Sequence, residues 1–265
     1  MGFLCLLLQV PVIESLVSVV AQMAPTFVFF GALLVATCAE EIRIKVQPSP
    51  PDERDSLIWF NKTSFDSWSN QLDNFIEVYR NPELTAGRPE AEVSCDWGSP
   101  PPPGKVCHIN PETFAPCVTT NYFGYRRLAP CIFLQFFPEK GWRPKFYGDL
   151  KTLPTSMPRN LKNYIIDKSV EPYTWETVWV SCDGENPADK ELIGPVRYIP
   201  GPGVPAYHFP YTGQKGYLPP LVAVQFEMPQ TGIVISIECK TWAANIKPHK
   251  DKLIGTVKFQ LMIDV

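Results

Sequence analysis

Eight cysteines occur in the chain, and the six between residues 95 and 239 constrain its fold more than any other feature. Cys95, Cys107, Cys117, Cys131, Cys182 and Cys239 include no C-x-x-C pair, and only His108, His208 and His249 could complete a metal site. Zinc therefore fits poorly, and an even set of widely spaced cysteines is better read as disulfides. Sequential pairing is favoured among the possible connectivities, because Cys95 with Cys107 and Cys117 with Cys131 close short loops. Cys182 and Cys239 fall on the apolar faces of two expected strands, which reads as a bridge between sheets. Disulfides imply an oxidising, extracytoplasmic compartment; buried free thiols in a cytosolic protein are the bland alternative. Cys5 and Cys38 lie apart, in the apolar head, and are expected not to pair with the six.

The short loops need such tethers. The chain holds 29 prolines in 265 residues, roughly twice the usual ~5%, which disfavours long helices. Residues 82–117, with the run Pro100 to Pro103, are expected to be irregular. One amphipathic helix is predicted over 66–79, where Trp68, Leu72, Phe75, Ile76 and Tyr79 recur at helical spacing, Asp66 can cap the start and Pro82 lies just past the end. From Cys131 onward the pattern turns to strands at 131–137, 177–182, 221–228, 232–242 and 253–263, rich in Val, Ile, Phe and Trp. The last two alternate, with Ile233, Ile235, Ile237 and Cys239 on one face and Leu253, Gly255, Val257, Phe259, Leu261 and Ile263 on another. The short turn Pro229–Gly232 suggests that neighbouring strands pair antiparallel, giving a sheet packed on a second sheet.

Ahead of this domain, residues 1–42 are almost wholly apolar, and Ser15 to Ala39 carries no charge. That run exceeds the ~20 residues that span a bilayer as helix. A membrane anchor, a cleaved signal peptide and a wrongly predicted gene start all remain open readings. Residues 43–56, including the proline- and charge-rich QPSPPDERD, read as an extended linker, and 57–265 as the folded domain. Asn61-Lys62-Thr63 is the sole N-x-Ser/Thr sequon and precedes the helix on expected surface, so Asn61 is a candidate glycan site.

Net charge is −3, and the basic residues are scattered, so no nucleic-acid footprint is present. No G-x-S-x-G, phosphate loop or H-E-x-x-H occurs, and no catalytic residues, cofactor or resident metal are expected. Gly201-Pro202-Gly203 reads as a turn. The acidic group Asp183, Glu185, Asp189 and Glu191 has oxygen ligands of the kind calcium takes, although such clusters are more often solvated loops. His108 beside Cys107 is not read as a nucleophile pair. The segment Tyr207-His208-Phe209-Pro210-Tyr211, followed by Tyr217, is too rich in proline-joined aromatics to be all core; a packed loop and an interface are equally good readings.

Together with the stretches SLIWF (56–60), PPPGKVC (101–107), APCIFLQF (129–136), VWVSCDGENPAD (178–189), GYLPPLVAVQF (216–226), ISIECKTWAANI (235–246) and IGTVKFQLMID (254–264), this sequence resembles the β subunits of the sodium/potassium-transporting P-type ATPase. The resemblance covers about residues 56–265, is closest to the insect form, and keeps the family's cysteine order. It implies a mainly β, immunoglobulin-like antiparallel sandwich as the extracellular domain, with a short helix and disulfide-tethered loops, behind a single-pass anchor that contacts membrane lipid. It further implies a non-catalytic glycoprotein at the plasma membrane, bound to the pump's catalytic α subunit and modulating K+ and Na+ transport. The expected contact with α is Tyr207, Phe209, Tyr211 and Tyr217. An adhesion module on the same fold that serves no pump is the alternative. Two departures stand out: Thr212 and Gln135 replace a tyrosine and a lysine usual in the family.

Overall fold

The computed structural model describes residues 42–52, 54–171, 173–246 and 254–264. The apolar segment 1–41, with Cys5 and Cys38, lies outside them, as do His249 and Leu253. Among the described residues no helix is long and apolar enough to cross a membrane.

In chain order the elements are β1 (Ile42–Gln47), β2 (Leu57–Phe60), α1 (Asp66–Arg80), α2 (Arg88–Ala91), β3 (Glu92–Val93), β4 (Val106–Cys107), β5 (Cys131–Pro138), α3 (Arg159–Lys168), β6 (Thr177–Gly184), α4 (Pro187–Leu192), β7 (Val196–Ile199), β8 (Gly203–Pro205), β9 (Leu221–Phe226), β10 (Val234–Trp242) and β11 (Thr256–Ile263). They form a four-stranded sheet ordered β1-β5-β9-β7 and a five-stranded sheet ordered β2-β11-β10-β6-β8, with β3 and β4 as a separate two-stranded ladder. The four-stranded sheet is antiparallel throughout, and in the five-stranded sheet only β2 runs parallel to its neighbour β11. Mainly β architecture with few helices follows directly from the proline content and the β-branched runs.

One hydrophobic core takes side chains from both sheets, including Ile44, Phe133, Leu134 and Val224 from the first and Ile58, Phe60, Val180, Ile237 and Leu261 from the second. β5 is buried on both faces, which explains why CIFLQFF reads as an unbroken apolar run rather than an alternation. On its outer side Phe133 meets Phe75 of α1 at 6.0 Å, and Gln135 Nε2 donates to the Tyr79 hydroxyl at 3.1 Å. Gln135 therefore sits in a tailored polar niche. Helix α1 buries Leu72, Ile76 and Tyr79, each contributing roughly 1.5–3 kcal/mol of hydrophobic stabilisation. β10 alternates buried and half-exposed positions, the one-wet-face pattern expected from its sequence.

Several expectations are corrected. Residues 43–56 are not a linker throughout, because β1 pairs with β5 from Ile42 to Gln47, and Ile42 and Ile44 are buried in the main core. The period-two pattern Ile42, Ile44, Val46 against Arg43 and Lys45 was masked by the apolar head before it. The following stretch is also held, since Gln71 Nε2 donates to the Ser49 carbonyl at 2.8 Å. Asp66 does not cap α1; Phe65 occupies the cap with no side-chain bond, and Asp66 sits in the first turn, where a carboxylate complements the helix dipole. Pro229–Gly232 is not a hairpin, because β9 and β10 belong to different sheets and the turn carries the chain between them.

The structure joins Cys95 to Cys107, Cys117 to Cys131 and Cys182 to Cys239. The last bridge corrects the inter-sheet reading: Cys182 and Cys239 face each other in the β6–β10 register, with Cα atoms 4.0 Å apart, so the bond crosses two neighbours of one sheet.

Candidate functional site

The Cys95–Cys107 bridge, with Cα atoms 5.4 Å apart, sets the Pro100–Pro103 run as one wall of a groove of about 550 Å³. Proline fixes φ and removes donors, so this wall is stiff and presents mostly apolar surface. The wall runs into the β3–β4 ladder, and Lys105 ties it to α2 by donating Nζ to the Glu90 carbonyl at 2.7 Å. The opposite wall is the aromatic segment with Tyr207, His208, Phe209 and Tyr217, and Trp97 closes one end.

A buried arginine locks the two walls together. Arg88 is fully buried; its Nη1 donates to the Gly216 carbonyl at 2.8 Å and its Nη2 to the Cys107 carbonyl at 3.4 Å. The same guanidinium pairs with Glu92, one helical turn on, and Glu92 also lies 3.1 Å from His108 Nδ1. Burial pushes the guanidinium pKa down and Glu92 offsets part of that, so the group is a desolvated cation held by its partners. Gly216 has φ +72, and a Cβ there would come 2.4 Å from the Arg88 Cα. Only glycine permits both that backbone and that approach.

All four aromatics expected at a partner contact are half-buried, each leaning on its own chain. Phe209 packs on the main core and meets Trp142 at 5.5 Å, whereas Tyr211 and Tyr217 lie 4.5 Å apart. Tyr207 is edge-on to Trp97 at 5.3 Å, and Trp97 stacks on Tyr173 at 5.7 Å. The segment is thus both a packed loop and a groove wall. The Tyr217 hydroxyl is buried with no hydrogen-bond partner among the described residues, and burial raises its pKa. Burial also lowers His208 to about 4, so this imidazole is neutral at physiological pH and adds no charge to the wall. Thr212, where the family has tyrosine, is exposed and donates its backbone N–H to Gln214 at 2.8 Å.

The other candidates fall elsewhere. The acidic group is dispersed: Glu185 pairs with Lys258 at 2.5 Å, Asp183 lies 3.6 Å from Lys190, and Asp189 is buried, accepting from Asn186. Among the described residues no three His, Cys, Asp or Glu side chains gather to hold a metal ion. His108 cannot serve a thiolate because Cys107 is bridged. Asn61 lies just beyond β2 with its Oδ1 accepting from Thr63 N, Thr63 Oγ1 and Ser64 N at 2.9, 2.8 and 2.9 Å. Sequence reasoning missed Arg88, Gly216 and Trp97; the run Pro100–Pro103 was the visible signal of the groove.

The family model described as the sodium/potassium ATPase beta chain matches residues 40–259. The chain is 43% identical over 224 residues to the sodium/potassium-transporting ATPase subunit beta-2 of Drosophila melanogaster, covering 82% of this chain and 69% of that protein. It is 36% identical over 222 residues to subunit beta-1 of the same organism, covering 82% and 68%. Identity to a probable subunit beta-3 of Caenorhabditis briggsae is 30% over 225 residues, covering 82% and 64%.

Proposed function

The chain belongs to the sodium/potassium ATPase β chain family, and from that membership we propose that it is the non-catalytic β subunit of a sodium/potassium-transporting P-type pump. In this reading it binds the catalytic α subunit, supports its folding, assembly and delivery to the plasma membrane, and modulates K+ and Na+ transport, while ATP hydrolysis stays with α. The observation that carries the reading is the family match across residues 40–259, which takes in the groove and every strand of both sheets, β11 as far as Phe259. The two-sheet domain is then the immunoglobulin-like extracellular part, and the apolar segment ahead of β1 is the single-pass anchor in lipid. An anchored domain also gains from effective concentration beside its partner.

The groove's aromatic wall supports a contact role for Tyr207, Phe209, Tyr211 and Tyr217. Large aromatics at an interface centre typically carry ~2 kcal/mol or more each, and Pro205, Pro210, Pro219 and Pro220 lower the ordering cost of presenting them. Full-length chain co-expressed with an insect α subunit is expected to co-purify with it and to yield ouabain-sensitive ATPase activity. Tyr207→Ala/Tyr211→Ala is expected to cut recovery of the complex by roughly thirtyfold or more, as ~2 kcal/mol implies. Wild type that fails to assemble beside a homologous β subunit that succeeds would leave the adhesion-module reading in its place. A double variant that assembles as well as wild type puts the contact elsewhere on the domain.

Extracellular placement has its own expected outcome. Removal of N-glycans should raise the gel mobility of the expressed chain, and Asn61→Gln should abolish that change; no shift in wild type would put the domain on the cytosolic side.

A further inference from the structure

β2 carries one exposed indole, Trp59, and ends at Phe60, one residue before the sequon asparagine. Along β2, Ile58 and Phe60 are fully buried while Trp59 is 41% exposed. Continued one residue past the strand end at Phe60, the alternation puts position 61 on the same side as Trp59, about 6.6 Å away at ~3.3 Å per residue. The residue there is Asn61, the acceptor of the sequon. We propose that the first N-acetylglucosamine of a glycan on Asn61 lies on the face of Trp59, so that this indole is a built-in saccharide platform.

Three observations converge on that pairing. The indole is anchored, because Trp59 Nε1 donates to Asp264 Oδ2 at 2.9 Å, and the backbone beneath it is held by Trp68 Nε1 donating to the Trp59 carbonyl at 2.6 Å. With its polar handle satisfied internally, the remaining exposed surface is the apolar ring. Among the described residues no other aromatic ring packs on it. At the acceptor, Oδ1 is engaged by the Thr63 and Ser64 donors, which orients the amide and leaves Nδ2 as the group available to carry a sugar. The C–H face of a pyranose is apolar and complements an aromatic face, whose π-density is the negative part of the quadrupole. The rigid ring and fixed amide mean that little conformational freedom is lost on stacking.

The attachment is ordinary transfer from a lipid-diphosphate-linked oligosaccharide. A bond forms between Asn61 Nδ2 and the sugar C1, the C1–O bond to the diphosphate breaks, the lipid diphosphate leaves, and one Nδ2 proton is lost. The consequence for the fold is local. β2 is the edge strand of the five-stranded sheet, and a sugar laid beside it hinders pairing with another chain.

The inference rests on the extracellular placement proposed above, and its test separates the two. Full-length chain is co-expressed with α under a mannosidase inhibitor, so that the glycan stays high-mannose. It is then compared intact, trimmed to a single N-acetylglucosamine by endoglycosidase H, and fully deglycosylated by an amidase that converts Asn61 to aspartate. Aspartate keeps the Oδ1 acceptor of the turn, so the backbone is preserved. Hydroxyl-radical labelling of Trp59, read by mass spectrometry against Trp97, should be equal in the intact and trimmed forms. It should rise about twofold on full removal, since covering one ring face hides about half of its exposed area. Full removal should also lower Tm by about 2–4 °C in wild type and leave Tm unchanged in Trp59→Ala. Labelling that is unchanged by full removal, or that rises already on trimming, overturns the stacking and leaves the topology intact. Absence of any glycan on Asn61 overturns both.

Discussion

Arg88→Leu is expected to destabilise the domain by about 3–5 kcal/mol, the range for removing one partner of a buried ion pair. The substitution leaves the Glu92 carboxylate in a nearly dry site with only His108 nearby, and it strips the Gly216 and Cys107 carbonyls of their donor. Arg88→Leu/Glu92→Leu should recover part of that loss, because an apolar pair of similar volume needs no compensating charge. Recovery should stay incomplete, since both carbonyls still lack a partner. Lysine is a poor substitute, being a point charge that cannot fork to two acceptors at once. Denaturant unfolding followed by tryptophan fluorescence measures the midpoints. A single variant within about 1 kcal/mol of wild type would show that Arg88 is not what joins the walls. The effect should reach the partner contact as well, because Gly216 directly precedes Tyr217, and co-purification with α should fall at temperatures where the sheets remain folded.

Arg88 also illustrates where the sequence stops being informative. A charged residue beside Pro89 and Glu90 has the profile of solvated surface, and nothing at local range reveals that Gly216, far along the chain, closes over it. Strands β5, β6, β10 and β11 were legible because burial on one or both faces leaves a period-two or continuous apolar signature. β8 was not, being only Gly203–Pro205, an edge strand whose glycine comes close to Thr177. α3 was missed because only Leu161 and Ile165 are buried, too few to make a stripe. Parity correctly put Cys182 and Cys239 on buried faces, yet parity does not say which strands are neighbours. That is why the bridge read as spanning two sheets while lying within one. Pro229–Gly232 poses the same problem, since a short turn serves a hairpin and a crossing between sheets equally well.

The position of that bridge sharpens what its removal should do. Cys182→Ala/Cys239→Ala is expected to cost about 4 kcal/mol, because a separation of 57 residues is a long loop to leave open in the unfolded chain. Since both residues already face each other in the β6–β10 ladder, alanines should fit with little change in the folded state, and the loss should appear as a lower unfolding midpoint. Cys95→Ala/Cys107→Ala, with a separation of 12 residues, should cost less, about 3 kcal/mol. Its functional effect should be the greater of the two, because that bond holds the Pro100–Pro103 wall rather than the sheets. The two variants therefore separate stability from assembly: the first lowers the midpoint most and retains α binding while folded, the second weakens α binding at temperatures where the core is intact. Equal loss of co-purification in proportion to the midpoint alone would mean that the groove contributes nothing of its own to the partner contact. Peptide mapping without reduction supplies the control, since recovery of any crossed pair among the six cysteines would remove the basis for both expectations.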